Sequence, residues 1–144
     1  MTNQKRRELL LIDELKKFIP GLEAIENEYS KWDAVSNNHK MIIEIKCRGD
    51  KYKREYRDFL IEREKFQSLL RAAEELGYTA FYVNEHGGDA WSYLLSSDNE
   101  PEWEIRNCNS HTHINAMGKE RRAKSVGFFK WEDAYRVYEN IIPK

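Results

Sequence analysis

The sequence has few cysteines and no long apolar run. Two cysteines among 144 residues, Cys47 and Cys108, are too few for a disulfide framework, so we interpret both as reduced thiols of an intracellular protein. No apolar stretch approaches the ~20 residues of a membrane-spanning helix. The start MTNQKRRELL also lacks the apolar core of a secretory signal. These absences predict a cytoplasmic protein that has no membrane segment.

The chain has little net charge, because its basic and acidic residues nearly cancel. A formal charge of −1 argues against a protein that simply coats nucleic acid. The basic residues are nevertheless concentrated in two stretches, each of which is either a phosphate-binding surface or an ordinary solvated face. The first stretch contains Lys46, Arg48, Lys51, Lys53, Arg54 and Arg57, and the second contains Lys119, Arg121, Arg122 and Lys124.

Length and apolar patterning predict one α/β domain that spans residues 1–144. An apolar fraction of 40%, of which aromatic residues supply 12% of the chain, is enough for a buried core. The order of apolar periods favours a sandwich around a mixed sheet. The predicted elements are a helix over 4–19, strands over 22–35 and 40–48, a helix over 54–76, strands over 78–83 and 90–95, a short strand over 125–129 and a closing helix over 132–142.

Glu44-Ile45-Lys46 ends the most apolar predicted strand. Alternate side chains of a strand share a face, so Glu44 and Lys46 should point together while Ile45 points to the opposite side. A carboxylate and an ammonium at the end of a buried strand are either a structural ion pair or the start of a site. The sequence of this segment leaves both interpretations open.

Asp33 joins this pair if the turn after it is short. With Asn37-Asn38 as a two-residue hairpin loop, Ser36 would face His39, and Asp33 would be a diagonal neighbour of Glu44 on the same face. A three- or five-residue loop would place Asp33 on the opposite face. The predicted carboxylate pair therefore depends on the hairpin register.

Two carboxylates and a lysine suit phosphodiester hydrolysis. Carboxylate oxygens are the ligands of Mg²⁺, which neutralises phosphate charge and acidifies bound water. A lysine beside the metal can position or deprotonate the attacking water and offset negative charge in the transition state. Asp33, Glu44 and Lys46 are therefore the candidate catalytic residues.

The segment Lys31-Trp32-Asp33 followed by Ile42-Ile43-Glu44-Ile45-Lys46 resembles the signature of PD-(D/E)XK nucleases. Trp32 stands where that motif has proline. The resemblance implies a restriction-endonuclease-like three-layer sandwich, in which a mixed central sheet is flanked by helices. It also implies that Asp33, Glu44 and the carbonyl of Ile45 bind Mg²⁺ or Mn²⁺, and that Lys46 serves the water.

The flanking residues extend this resemblance over roughly residues 4 to 95. Arg7-Glu8-Leu9-Leu10 resembles the first helix of archaeal Holliday-junction resolvases, with its acidic residue. The resemblance implies that Glu8 is an accessory metal ligand, and the alternative is a solvated helix residue. Lys65 occupies the place where the family has a glutamine or lysine near the substrate. The basic residues expected to grip the nucleic acid backbone are Arg48, Lys51, Lys53, Arg54 and Lys65. The resemblance alone implies a homodimer.

Three functions follow as hypotheses. The first is a Mg²⁺-dependent endonuclease that acts on DNA in phage or mobile-element processing or in junction resolution. The second is a catalytically inactive nuclease-like module that binds nucleic acid or protein. The third is an α/β assembly protein in which Glu44 and Lys46 form a buried ion pair.

Three further residue types, cysteine, histidine and tryptophan, have interpretations of their own. Cys108, His111 and His113 offer ligands for zinc, although a structural zinc site normally has a fourth ligand. His39 and His86 read as surface residues. The tryptophans predicted to pack in the core rather than stack on bases are Trp91, Trp103 and Trp131.

Overall fold

The computed structural model describes residues 2–27, 30–49, 57–115 and 118–143, and it describes side chains in these ranges except for residues 108–122. Two helices and nine strands are present in this part of the chain. They are α1 (Asn3–Leu15), β1 (Leu22–Ala24), β2 (Ala34–Ser36), β3 (Met41–Cys47), β4 (Asp58–Glu62), α2 (Arg63–Leu76), β5 (Thr79–His86), β6 (Asp89–Leu95), β7 (Glu104–Asn115), β8 (Gly118–Lys130) and β9 (Arg136–Tyr138).

The strands form a central sheet of six and a second sheet of three. The central sheet has the order β1-β2-β3-β5-β6-β9, and the second has the order β4-β8-β7. Only the β3–β5 pair is parallel, and the other described pairs of the central sheet are antiparallel. The parallel step requires a crossover, which β4 and α2 provide. The central sheet is therefore mixed, as predicted.

Two apolar clusters lie on opposite faces of the central sheet. Leu11 and Ile12 of α1 pack with Ile43 and Ile45 on one face. Ile42 and Tyr82 face the other side, where α2 and the second sheet cover them. The near-continuous burial of β3 follows from this double cover. The α/β sandwich with helices on both sides is confirmed, and the second sheet shares a layer with α2.

The predicted helix over residues 54–76 is wrong at its start. The chain forms β4 at Asp58–Glu62, and α2 begins only at Arg63. Phe59 and Ile61 are buried alternately because β4 pairs with residues 126–130 of β8, and this tertiary pairing overrides the helical pattern. The predicted helix end is right: Gly77 caps α2 with φ of 70°.

The predicted closing helix over residues 132–142 is absent. A short 3-10 turn at Trp131–Asp133 leads into β9, which pairs with β6. The apolar spacing of this segment fits a helix, but the open edge of β6 supplies unpaired backbone groups that β9 satisfies. The long strand β7 lies in a region for which no helix or strand is predicted.

The tryptophans pack, as predicted. Trp91 stacks on Trp131 with ring centroids 4.8 Å apart, and Trp103 meets the edge of Phe66 at 5.5 Å. His86, predicted at the surface, is buried, and its Nδ1 lies 2.7 Å from the carbonyl oxygen of Gly49. None of the helices described here is long and apolar enough to cross a membrane.

Candidate active site

The site is built on the pairing of β2 with β3. Ser36 pairs with Met41 and Ala34 with Ile43, which brings Asp33, the residue before β2, beside Glu44. The Asp33 amide donates to the Ile43 carbonyl at 2.9 Å, one residue off the register of these pairs. The predicted two-residue loop is therefore wrong, because four residues, 37–40, separate the strands. The register moves by two, and a shift of two keeps Asp33 and Glu44 on one face.

Asp33 lies between two other carboxyl groups. Its side chain is within hydrogen-bonding contact of Glu44 from β3 and of Glu8 from α1. Its Oδ2 also accepts a hydrogen bond from the Ile45 amide at 2.7 Å. This contact fixes the Asp33 carboxylate against β3. The structure thus brings Glu8, Asp33 and Glu44 together at one end of the sheet.

Burial and the nearby Asp33 carboxyl group raise the pKa values of Glu44 and Glu8. Burial raises the pKa of Glu44 to about 8, and the hydrogen bond and negative charge of Asp33 contribute to the rise. Burial, together with the same neighbour, raises the pKa of Glu8 to about 7. Lys65 and Lys5 oppose these shifts at Glu44 and Glu8 respectively. A cation placed between the carboxylates would relieve this repulsion.

Two lysines reach the site from different elements. Lys46 is exposed at the end of β3, and it lines a cleft of about 640 Å³ together with Glu44. Lys65 lies in the first turns of α2 and forms an ion pair with Glu44, with Nζ 2.8 Å from Oε2. Its Nζ also donates to the Lys31 carbonyl at 3.2 Å. The cleft therefore combines the two ammonium groups with carboxylates, which belong to Glu44, Glu62 and Glu64.

An ion pair beside the site fastens α1 to the sheet. Arg7 donates from Nε and Nη2 to the two carboxylate oxygens of Glu85, at 2.7 and 2.6 Å. Glu85 is fully buried and also accepts from the Gly88 amide. Burial alone would raise the pKa of Glu85, but the Arg7 hydrogen bonds lower it below its ordinary value. Because Glu8 follows Arg7, this anchor holds Glu8 near Asp33.

Arg48 does not reach outward as predicted. Its guanidinium donates to the Leu60 carbonyl at 2.9 Å, to the Tyr82 hydroxyl at 3.2 Å and to Asn84 Oδ1. These contacts join the end of β3 to β4 and β5, so Arg48 has a packing role. The other predicted backbone-gripping residues, Lys51, Lys53 and Arg54, lie outside the described residues.

The sequence interpretation missed the helix side of the cleft. Glu64, Gln67, Ser68 and Arg71 of α2 line it opposite Lys46. Their spacing of three and four residues is the signal that could have found them, since it marks one polar stripe along a helix. Tyr82 of β5 forms part of the floor.

The zinc hypothesis for Cys108, His111 and His113 lies outside the described side chains. In the part of the chain with described side chains, no three His, Cys, Asp or Glu residues are already arranged to hold a metal. Cys47 has a free thiol, and burial, reinforced by the charge of Glu85, raises its pKa to about 12. Cys47 is therefore a poor ligand and a poor nucleophile.

Comparisons with known proteins show weak structural likeness. No family model matches the chain, and no curated protein matches it significantly. The chain is similar to the structure of Hjc from Archaeoglobus fulgidus, described as a Holliday junction resolvase from an archaeal hyperthermophile, with a TM-score of 0.49 and 17% identity. That similarity covers 63% of this chain and 76% of Hjc. At this level of similarity, the comparison does not assign a function to the chain.

Proposed function

We propose that this protein is a divalent-metal-dependent endonuclease that hydrolyses phosphodiester bonds in DNA. The observation that carries the proposal is the contact between the carboxyl groups of Asp33 and Glu44, beside a cleft that Glu44 lines together with Lys46 and Lys65. An ordinary core has no use for a partly buried carboxylate cluster, because each ionised group there loses hydration and repels its neighbours. Carboxylates beside lysines are the groups that metal-assisted hydrolysis of a phosphodiester requires.

The carboxylates suit a magnesium ion that is held by only a few protein ligands. Mg²⁺ is commonly held by one or two carboxylates, with water and substrate oxygens completing its shell. Asp33 and Glu44 would hold it, with Glu8 as an accessory ligand, and Ile45 remains a proposed carbonyl ligand. When bound, Mg²⁺ or Mn²⁺ would supply Lewis-acid stabilisation of the phosphate and acidify a bound water.

The protein's own side chains have distinct proposed roles. Lys46, exposed within the cleft, would position or deprotonate the attacking water and offset charge in the transition state. Lys65 would neutralise Glu44 in the free protein and turn to a substrate phosphate once a metal occupies the site. The guanidinium of Arg71 on the same cleft wall would add a further phosphate contact.

We propose that this activity serves phage or mobile-element DNA processing or junction resolution, because these processes require the hydrolysis of phosphodiester bonds. The expected assembly is a homodimer. The rival function is a nuclease-like module that binds nucleic acid or protein without cutting it. The Lys65–Glu44 ion pair of 2.8 Å favours this rival, because it already satisfies Glu44 without a metal.

One cleavage experiment separates these functions. The pure protein is incubated with Mg²⁺, Mn²⁺ or a chelator and with linear duplex, single-stranded and four-way-junction DNAs, with RNA as a further arm. We expect cleavage of at least one DNA that requires the divalent ion and disappears in Glu44→Gln. DNA binding without any cleavage under all these conditions would instead support the binding module.

A further inference from the structure

The hairpin of β7 and β8 extends beyond the rest of the second sheet. β4 pairs with β8 only over residues 126–130, whereas β7 and β8 pair from Glu104↔Val126 to Asn115↔Gly118. Within the described chain, residues 105–115 and 118–125 therefore form a ribbon without a third strand, which we call the arm. The register shifts between Asn109 and Ile114, so the eight residues 118–125 of β8 set the length of the arm. At about 3.4 Å per residue, that length is roughly 25 Å.

The arm concentrates positive charge in a chain that is otherwise acidic. It contains five basic residues, Arg106, Lys119, Arg121, Arg122 and Lys124, against the single acidic residue Glu120, which gives a formal charge of +4. The whole chain carries −1, so the remaining residues carry −5. A charge separation of this size points to a polyanionic partner for the arm.

Local contacts at the base of the arm support the same conclusion. Arg106 pairs directly across the ribbon from Lys124, and like charges at opposed positions destabilise a strand pair. Arg106 forms an ion pair with Glu104, and Lys124 forms one with Glu62, both at 2.8 Å. The side chain of Ile105 is 71% exposed. A two-stranded ribbon is only marginally stable in water, so a bound anion would favour it further.

The base of the arm adjoins the cleft of the proposed active site. Glu62 lines that cleft with Glu44 and Lys46. Glu62 also lines a second depression of about 350 Å³, whose other wall is formed by residues 123–125 of the arm. The base of the arm and the cleft therefore share Glu62 as a common wall.

We propose that the arm is a second nucleic-acid-binding element, which contacts the phosphates of a duplex that flanks the cleaved bond. The inference rests on the proposed nuclease function for the position of the substrate. A two-stranded ribbon fits the major groove, which is about 12 Å wide, and lies close to the phosphates on either side. Its length corresponds to roughly seven base pairs, since one turn of about ten base pairs is about 34 Å long. The substrate class is thus DNA with a duplex flank of at least about seven base pairs.

Salt-dependent binding tests the arm directly. The affinity for a linear duplex is measured by fluorescence anisotropy in chelator over a series of salt concentrations, for wild type and for Arg121→Ala/Arg122→Ala. These residues are opposite Asn109 and Cys108 in the ribbon register. Losing two phosphate contacts should make the slope of log affinity against log salt shallower by roughly 1.8. An unchanged slope overturns the proposal.

Two matched variants serve as controls. Lys16→Ala/Lys17→Ala removes the same charge from the end of α1, where both lysines are exposed, and it should leave the slope unchanged. Arg121→Lys/Arg122→Lys keeps the charge and should restore the wild-type slope. A similar loss of slope in both alanine variants would mean that only the total charge matters, which also overturns the arm's role.

Cleavage of duplexes with different flanks separates this inference from the proposed function. Wild type should cut duplexes whose flank exceeds roughly seven base pairs faster than shorter ones, and Arg121→Ala/Arg122→Ala should lose this preference. Cleavage that shows no dependence on flank or arm overturns the inference and leaves the nuclease intact. An arm-dependent salt slope without any cleavage supports the arm and overturns the nuclease.

Discussion

Asp33 and Lys46 have separable proposed tasks. Asp33 is placed by the Ile45 amide and touches two other carboxyl groups, so its position suits a metal ligand. Lys46 is exposed in the cleft, so its position suits contact with water and substrate. Substitutions at these two residues should therefore fail in different ways.

Asp33→Asn should lose both Mg²⁺ binding and cleavage, because a neutral amide is a poorer ligand for a hard cation. Calorimetric titration and a cleavage assay on the same preparation measure the two losses. Asp13→Asn, at an exposed position of α1, is the matched control and should retain both. Wild-type metal affinity in Asp33→Asn would remove Asp33 from the ligand set.

Lys46→Ala should keep its metal and fail to cut. Removing an ammonium beside a cation relieves repulsion in the ground state but removes stabilisation needed in the transition state. We expect unchanged or tighter Mg²⁺ binding with cleavage reduced by about 10²-fold or more. Cleavage at the wild-type rate by a folded Lys46→Ala protein contradicts the proposed role.

Glu44 makes folding stability depend on pH. Burial and Asp33 raise its pKa from 4.5 to about 8, so the metal-free native state binds more protons than the unfolded state between these values. The stabilising contribution is complete at low pH and is lost as the pH rises through about 8. Denaturant midpoints of wild type should therefore fall over this window relative to Glu44→Gln. Parallel pH profiles of the two proteins would contradict the raised pKa.

At the scale of elements, the site depends on how α1 docks against the sheet. Glu8 approaches Asp33 only because α1 lies across the end of β3 and β5. The apolar stripe of α1 sets the face that is buried, whereas the bidentate Arg7–Glu85 pair fixes the end nearest the site. The pair is a specific connection between a helix and a strand.

Arg7→Ala should destabilise the fold by about 3 kcal/mol, because it leaves a fully buried carboxylate without its partner. Chemical denaturation measures the loss. Arg6→Ala, at the exposed neighbouring position of the same helix, should have little effect. Arg7→Ala/Glu85→Gln should recover part of the stability, and a double variant no more stable than Arg7→Ala would argue against the ion pair.

At the scale of the whole molecule, aromatic side chains join the two sheets. Phe59 of β4 contacts Trp91 and Tyr93 of the central sheet, with ring centroids 5.4 and 6.2 Å apart, and it stacks on Trp131 at 5.7 Å. Phe129 of β8 stacks on Tyr93 at 4.9 Å. The second sheet therefore shares its core with the central sheet and should unfold together with it.

Phe59→Ala should cost about 3–5 kcal/mol, because a fully buried ring is replaced by a cavity at the junction of the sheets. Far-UV circular dichroism and tryptophan fluorescence should report one coincident melting transition in wild type. Phe18→Ala, which removes a ring that is 48% exposed, should cost clearly less. Two separate transitions in wild type would show that the sheets do not share one core.

Local patterning of the sequence was enough to predict several helices and strands and the faces of their side chains. Apolar periodicity identified α1, the end of α2 at Gly77 and the buried strand β3, because these elements bury faces that repeat at 3.6 or 2 residues. Two-residue alternation was also sufficient to place Glu44 and Lys46 on the face opposite Ile45. The mixed α/β class follows from the order of these elements.

The pairing of distant segments could not be predicted from local patterning. Local pattern fitted a helix for residues 58–62 and 136–138, but β8 and β6 offered strand edges whose backbone groups these segments satisfy. The loop of residues 37–40 set the register of β2 against β3, and the docking of α1 brought Glu8 to Asp33. Packing likewise turned Arg48 inward. Hydrogen-bond pairing and burial depend on neighbours remote in sequence, which periodicity within a single segment does not encode.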